Sequence, residues 1–302
     1  MEIKITEKEA GLTLKEYFSL LKLSKRQIAR LKNRDLGITV NGEKKTVRYI
    51  LQDKDLLKIE VEDFISSSIE PSHIPLKILY EDEWYIALEK EANLPIHPSK
   101  NHQNDTLASR VMGHFENENF VFRVLTRLDR DTSGIVLIAK SAVAASLFSK
   151  MLEKREVEKK YLALCQGTFK EKTGKIDFNI RRISPFNIKR EAVEKSSSHS
   201  ELSEFGNTAL TYYEVLKEKD GISLVLFTLI TGRTHQIRVH SSALNCPILS
   251  DTLYGSESDF LSRQALHAHS IKFIHPFTNK LTEIVCPLSE DINNAKKVIF
   301  NK

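Results

Sequence analysis

The 302-residue sequence predicts an α+β fold. Strand-like and helix-like segments follow one another without the regular β–α–β alternation of a parallel sheet. The apolar run Ile135-Val136-Leu137-Ile138-Ala139 reads as a buried strand. A basic piece near the N-terminus is set off from the rest by a serine-rich stretch, which predicts a small unit ahead of a larger one.

The elements follow in order. Ser24 suits the N-cap of a helix from Lys25 to Asn33, with Ile28 and Leu31 as its apolar stripe. Arg26 and Arg30 are i,i+4 neighbours and share one face. After a turn at Leu36-Gly37, Ile38-Thr39-Val40 forms a strand that ends in the tight-turn pair Asn41-Gly42. Residues 56–61 form the next strand and close a unit spanning 1–63. Residues 64–73 read as a linker, with Ser66, Ser67 and Ser68 in a row and Pro71 close by. Residues 74–302 form the second domain. In it, 76–82 and 84–88 read as strands, and 104–115 and 142–154 as helices. Val143, Leu147, Met151 and Leu152 share one face of the latter. Tyr161–Leu164, 209–215 and 222–230 have strand chemistry. Residues 189–207 are charged and serine-rich, and read as an exposed loop. A helix over 234–244 aligns Ile237, His240, Ser241 and Leu244.

Composition narrows the function classes. The formal charge is +5, and it is unevenly spread. Between Lys15 and Arg48 stand ten lysines and arginines against three acids, a local excess of seven, so the remainder of the chain is net −2. A confined positive patch is the footprint of a polyanion-docking module. Cys165, Cys246 and Cys286 are far apart and form no C-x-x-C pair, which suits a reducing cytoplasm and predicts neither disulfide framework nor zinc site. The start, Met1-Glu2-Ile3-Lys4-Ile5, has no apolar leader. No uncharged apolar stretch approaches the ~20 residues that span a bilayer, so no membrane partner is expected.

Three segments carry chemistry. Arg127-Leu128-Asp129-Arg130-Asp131-Thr132-Ser133-Gly134 sets Asp129 between two arginines at the mouth of the apolar strand. Nearby positive charge keeps such a carboxylate ionised, which suits a nucleophile or an ion-pair anchor better than a general acid. Lys159-Lys160-Tyr161 follows, and then Gly232-Arg233-Thr234-His235-Gln236-Ile237-Arg238. In this order the three resemble the RluA-type pseudouridine synthases, whose signature is R-L-D-x-x-T-S-G, K-x-Y and G-R-x-H-Q-I/L-R. The likeness continues through Pro247-Ile248, Asp251, Tyr254-Gly255, Leu266-His267-Ala268 and His275-Pro276, and spans 74–290. In the N-terminal unit, S-K-R-x-x-x-R-L followed by V-N-G resembles the αL-type RNA-binding motif that many of these synthases carry.

The resemblance implies a mixed, largely antiparallel sheet with flanking helices and a central cleft. It implies an RNA uridine isomerase that needs no cofactor and no metal, acts in the cytoplasm, and favours ribosomal over transfer RNA. A monomer is expected. The implied catalytic residues are Asp129, Tyr161 and Arg238. A guanidinium fork can meet a carboxylate through two hydrogen bonds, which fits Arg238 facing Asp129. Tyr161 can stack on a flipped pyrimidine or help remove the ring proton, or it can be an ordinary core tyrosine. Arg127 can fill the vacancy left by an extruded base, contact a phosphate, or pair with Asp131. Leu266 is a candidate apolar wall, and Arg26 and Arg30 are candidate RNA contacts.

Other readings compete. A non-catalytic RNA-binding assembly factor could share the fold, but it would have no need of Asp129, Tyr161 and Arg238 together. A glycosidase using Asp129 and Asp131 conflicts with their placement two residues apart on one loop, since such enzymes flank the sugar. Histidine spacing (His267 with His269, His235 with His240) lacks the usual i,i+4 metal pair. The chain departs from the family pattern at Thr126, often His in relatives, and at Glu89-Lys90-Glu91-Ala92-Asn93, where N-K-P-x-G is usual.

Overall fold

The computed structural model describes residues 2–301 apart from 22, 24, 35, 60–68, 99–104, 185–186, 195–205 and 256, and the described side chains do not include those of 25–27 and 30. The expected N-cap Ser24 and half of the 64–73 linker, residues 64–68, lie outside the described residues.

The N-terminal part runs β1 (Glu2–Lys4), α1 (Leu14–Leu20), α2 (Lys25–Lys32), β2 (Ile38–Val40), β3 (Glu43–Lys44) and β4 (Leu56–Ile59). Its antiparallel sheet has the order β1-β4-β2-β3. The predicted helix and strands are present, and β1 and α1 add to them. A capping box starts α1: Glu16 N–H donates to the Thr13 hydroxyl at 3.2 Å, and the Thr13 N–H donates to the Glu16 carboxylate at 2.8 Å. Asn41 and Gly42 both take positive φ, 52° and 84°, the geometry that matches a two-residue turn to strand twist. Leu14, Phe18, Leu31, Val40 and Leu57 share one core, onto which Val143 and Leu147 also pack.

The larger part runs β5 (Ile78–Glu81), β6 (Tyr85–Lys90), α3 (Leu107–His114), β7 (Ser133–Ala139), α4 (Ala142–Glu153), β8 (Val157–Gln166), β9 (Thr173–Ile176), β10 (Asn179–Arg182), β11 (Arg190–Val193), β12 (Asn207–Thr208), β13 (Thr211–Lys219), β14 (Ile222–Leu229), α5 (Gln236–Ala243), β15 (Leu266–Ile274), β16 (Leu281–Val285) and α6 (Glu290–Phe300). Nine strands form one sheet in the order β5-β6-β7-β15-β8-β14-β13-β9, with β16 joining β15. Among the described residues only β7 and β15 pair in parallel. The fold is thus α+β with a largely antiparallel sheet, as expected. Thr106 and Ser141 cap α3 and α4 by accepting the Ser109 and Ala144 N–H groups.

One expectation is corrected. The 189–207 segment is not loop throughout: β11 and β12 pair with β10 at its two ends, and form a separate three-stranded sheet. The charge of Arg190 and Glu191 hid a strand whose side chains are only half-buried.

The centre of the large sheet positions the motif loop. Every residue of β7 is buried, as its unbroken apolar run requires. Gly134 has φ 113°, and an added Cβ would stand 2.2 Å from the Ala268 carbonyl oxygen. Only glycine lets β15 approach this closely. Thr126 accepts the Leu137 N–H at 2.9 Å and pins the start of the motif loop to β7. Lys90, fully buried, donates to the carbonyls of Glu91, Leu94 and Arg130, so it ties the altered turn to the same loop. Asn93 takes φ 61° where the family pattern has glycine, a conformation that Asn tolerates better than most residues.

Two predictions concern this frame. Gly134→Ala should lower the unfolding free energy by about 1–3 kcal/mol, read from a denaturant titration. His267 is fully buried against the Ser133 hydroxyl at 2.9 Å, and burial pulls its pKa down to about 4. Between pH 6.5 and 4 the unfolded chain then binds the proton that the folded one refuses, so stability present at neutral pH is lost as pH falls through that window. His267→Gln should remove on the order of 3 kcal/mol of this loss, measured as the difference between wild-type and variant stability–pH curves.

Candidate active site

Asp129 lies in the turn before β7, where the Thr132 N–H donates to its carbonyl at 3.1 Å. Its carboxylate meets Arg238 of α5, across 109 residues of chain, with Nη1 donating to Oδ2 at 3.1 Å. The guanidinium fork points elsewhere: Nε and Nη2 donate to the two oxygens of Asp251 at 2.7 and 2.8 Å. The two-bond fork expected for Asp129 is therefore corrected. Arg238 grips Asp251, whose side chain is wholly buried, and offers its remaining edge to Asp129, whose side chain is 26% exposed. Among the described residues Asp129 Oδ1 accepts no hydrogen bond, and the residue lines a cleft of about 720 Å³.

Tyr161 on β8 and Leu266 at the start of β15 line the same cleft. Sheet order makes this possible, because β7, β15 and β8 are neighbours. Asp129, Tyr161, Arg238, Arg127 and Leu266 thus share one cavity. Arg26 and Arg30 lie on α2, and their side chains lie outside the described ones.

Residues 84–243 match the family described as RNA pseudouridylate synthase. The chain belongs to this family. It is 35% identical over 95% of its length to an uncharacterized RNA pseudouridine synthase, YjbO, of Bacillus subtilis, of which it covers 99%. It is also 35% identical to the ribosomal large subunit pseudouridine synthase D of Nitrosomonas europaea, over 76% of this chain and 66% of that one. The structure of human RNA pseudouridylate synthase domain containing 1 superposes with a TM-score of 0.58 and 30% identity, covering 72% of this chain and 86% of that chain.

The remaining motif residues of the synthase hold the centre in place. Gln236, buried, accepts from the Thr231 hydroxyl and the Arg233 N–H, and donates to the Leu210 carbonyl and the Thr211 hydroxyl. That sets the loop from which α5 springs. His235 precedes α5 in a left-handed conformation, φ 59°, a strained geometry that tends to gather at functional sites. Its Nδ1 lies 2.8 Å from the Tyr254 hydroxyl, which already accepts the Arg190 N–H at 2.9 Å. With the hydroxyl donating a hydrogen bond to Nδ1, the neutral imidazole carries its hydrogen on Nε2, 3.7 Å from Asp129 Oδ2. Burial, with Arg238 adding and Asp129 opposing, holds the His235 pKa below its ordinary value.

Burial would by itself weaken the charge on Arg238, but Asp251 and then Asp129 outweigh it and raise its pKa. Burial, aided by Asp129, pushes the Tyr161 phenol well above its ordinary range. A phenol so held is a poor proton acceptor at neutral pH, which favours the stacking role over proton removal.

The flanking arginines do not clamp Asp129. Arg130 pairs with Asp131 at 3.1 Å, which removes the Arg127–Asp131 pairing from the alternatives. Arg127 is exposed at the cleft and makes no hydrogen bond or ion pair with any described residue. Asp251 and His235 are the residues beside Asp129 and Arg238 that the sequence reading left without a role. Both were visible in the motifs, but a buried carboxylate 13 residues after Arg238 has no local signal. The other histidines have protein partners: His240 Nδ1 lies 2.9 Å from the Thr211 hydroxyl, His275 pairs with Asp82, and His269 contacts the Cys286 carbonyl. Among the described residues no group of three or more His, Cys, Asp or Glu is placed to hold a metal ion. None of their helices is long and apolar enough to cross a membrane.

Arg238→Gln should leave the buried Asp251 without its cationic partner. The expected loss is about 3–5 kcal/mol of folding free energy, read by chemical denaturation. Asp129→Asn, which loses only the half-exposed partner, should cost far less in the same measurement.

Proposed function

We propose that this synthase isomerises specific uridines in structured RNA, large-subunit ribosomal RNA above all, with Asp129 as the essential carboxylate. The observation that carries the reading is the division of labour at Asp129, which lines the cleft: Oδ2 is held by Arg238, and Oδ1 accepts no hydrogen bond from any described residue. Pseudouridine formation breaks the bond from the sugar to ring nitrogen 1, turns the base, and joins the sugar to carbon 5. That carbon loses its proton as nitrogen 1 gains one, so no oxidant or energy source is needed. An ionised carboxylate can add to the anomeric carbon or to the pyrimidine ring, or face the positive sugar that develops. Tyr161 stacks on the uracil, and Leu266 closes the apolar side of the pocket. Arg127 stands at the opening, placed to enter the helix as the base leaves.

The name of the Nitrosomonas relative supports ribosomal RNA as the substrate. Residues 1–63 act as the αL-type docking unit that holds this RNA, and the synthase works as a cytoplasmic monomer.

RNA from cells lacking the gene, incubated with the protein and mapped chemically for pseudouridine, tests the reading. New pseudouridine is expected with wild type and none with Asp129→Asn. Binding without conversion by wild type would instead favour an assembly factor. Replacing both Arg26 and Arg30 by Gln should flatten the slope of log affinity against log salt by about two and leave the saturating rate unchanged. An unaltered slope would exclude those two residues from docking.

A further inference from the structure

Lys159 belongs to a sequence motif, yet the reaction described above does not use it. It stands on β8 two residues before Tyr161, so the two side chains leave the same face of the strand. Both line the cleft that holds Asp129. The Lys159 ammonium lies beneath the loop before α5, where a methyl group on Gly232 would stand 3.6 Å from Nζ. It makes no hydrogen bond or ion pair with any described residue. Other lysines drawn into this sheet have partners: Lys90 has three carbonyls, and Lys140 has Glu81 at 2.6 Å. Lys159 is half-buried in the cleft wall, and a half-buried charge with no protein partner is a place where a ligand's opposite charge can supply one. Burial alone lowers the Lys159 pKa, with no carboxylate offsetting it.

We propose that Lys159 is the anion anchor of the cleft, pairing with the backbone phosphate of the nucleotide whose base Tyr161 stacks. The inference rests on the RNA-isomerase reading and names the contact that seats the target nucleotide. Two residues of strand separate the Lys159 and Tyr161 backbones by roughly 7 Å. That spacing sets the flexible lysine stem beside the stacking ring, within reach of the phosphate of the same nucleotide. The cleft also carries Arg127, Arg155 and Arg233, so the strand enters along a positive rim and the innermost phosphate meets Lys159. A lysine suits this place as a compact point charge on a flexible stem.

The test uses full-length protein and large-subunit ribosomal RNA purified from cells lacking the gene. Half-saturation and saturating single-turnover rate are measured over a salt series for wild type, Lys159→Met and Lys159→Arg. Lys159→Met should raise the half-saturating concentration about tenfold and flatten the salt slope by about one, with the saturating rate within about threefold of wild type. Lys159→Arg should restore both affinity and slope. Weaker binding at unchanged slope would assign the amine to a uracil oxygen and overturn the proposal. A fall in saturating rate at unchanged half-saturation would overturn it too, by placing Lys159 in the chemistry. Loss of both parameters in both variants, with lowered melting temperatures, would make it a structural residue. The two readings fail separately. If wild type forms no pseudouridine, the isomerase reading falls, while filter binding of the same RNA still reports whether Lys159→Met flattens the slope.

Discussion

One guanidinium shared between two carboxylates organises the whole site. Arg238 is held on its fork by Asp251, which has no exposure, and touches Asp129 with the edge left over. The asymmetry has a consequence. A carboxylate gripped by both fork nitrogens is well satisfied and therefore unreactive. By giving the fork to Asp251, the fold fixes Arg238 rigidly while leaving Asp129 only singly bonded and open to the cleft. Asp251 is in turn oriented by the N–H groups of Leu253 and Tyr254, which donate to its Oδ1. The chain of restraint runs from backbone to buried acid to arginine to Asp129, so the carboxylate in the cleft is positioned by rigid partners.

The sheet is what brings these groups together. The motif segments lie far apart in sequence, but β7, β15 and β8 are adjacent, and Ile237 of α5 packs in one core with Tyr161 of β8 and Leu266 of β15. The parallel contact of β7 with β15 is confined to His267 with Ser133 and Ala268 with Gly134, at the point where the catalytic turn emerges. Beneath it, Arg263 donates to the Asp131 carbonyl and the Ser133 hydroxyl from above α6, and to Ser289 and Asp291 at the start of that helix. With Lys90 on the Arg130 carbonyl, the turn carrying Asp129 is held on both sides. Such double tethering limits the conformational freedom that would otherwise blunt catalysis by a loop residue.

Much of this was legible in the chain, and the illegible part has physical reasons. Fold class, the α2–β2 region, α3, α4 and α5 follow from periodicity and turn chemistry, because their stripes and caps are local. The Asp129–Arg238 contact came from motif order. Which edge of Arg238 would face which acid did not, since Asp251 competes for the fork only in three dimensions. Helix α1 carries its signal in Thr13 and Glu16, a cue that hydrophobic spacing does not reveal. Strands β10, β11 and β12 are short, and β11 and β12 carry little apolar content, so only pairing identifies them. The two arginines that flank Asp129 in sequence do not pair with it, because neighbours at a turn diverge and Arg130 reaches Asp131.

The charge pattern of the cleft separates attraction from chemistry. Arg127, Arg155, Lys159, Arg233 and Arg238 line it against Asp129 and Glu153 among the described residues. A lone carboxylate would repel an approaching polyanion, and the cationic lining reverses that field. Arg238 stands on both sides of that balance: Asp251 holds it through the fork nitrogens, and its remaining edge meets Asp129. The carboxylate that Arg238 shares with the cleft thus takes a single hydrogen bond from it, while the buried one takes two.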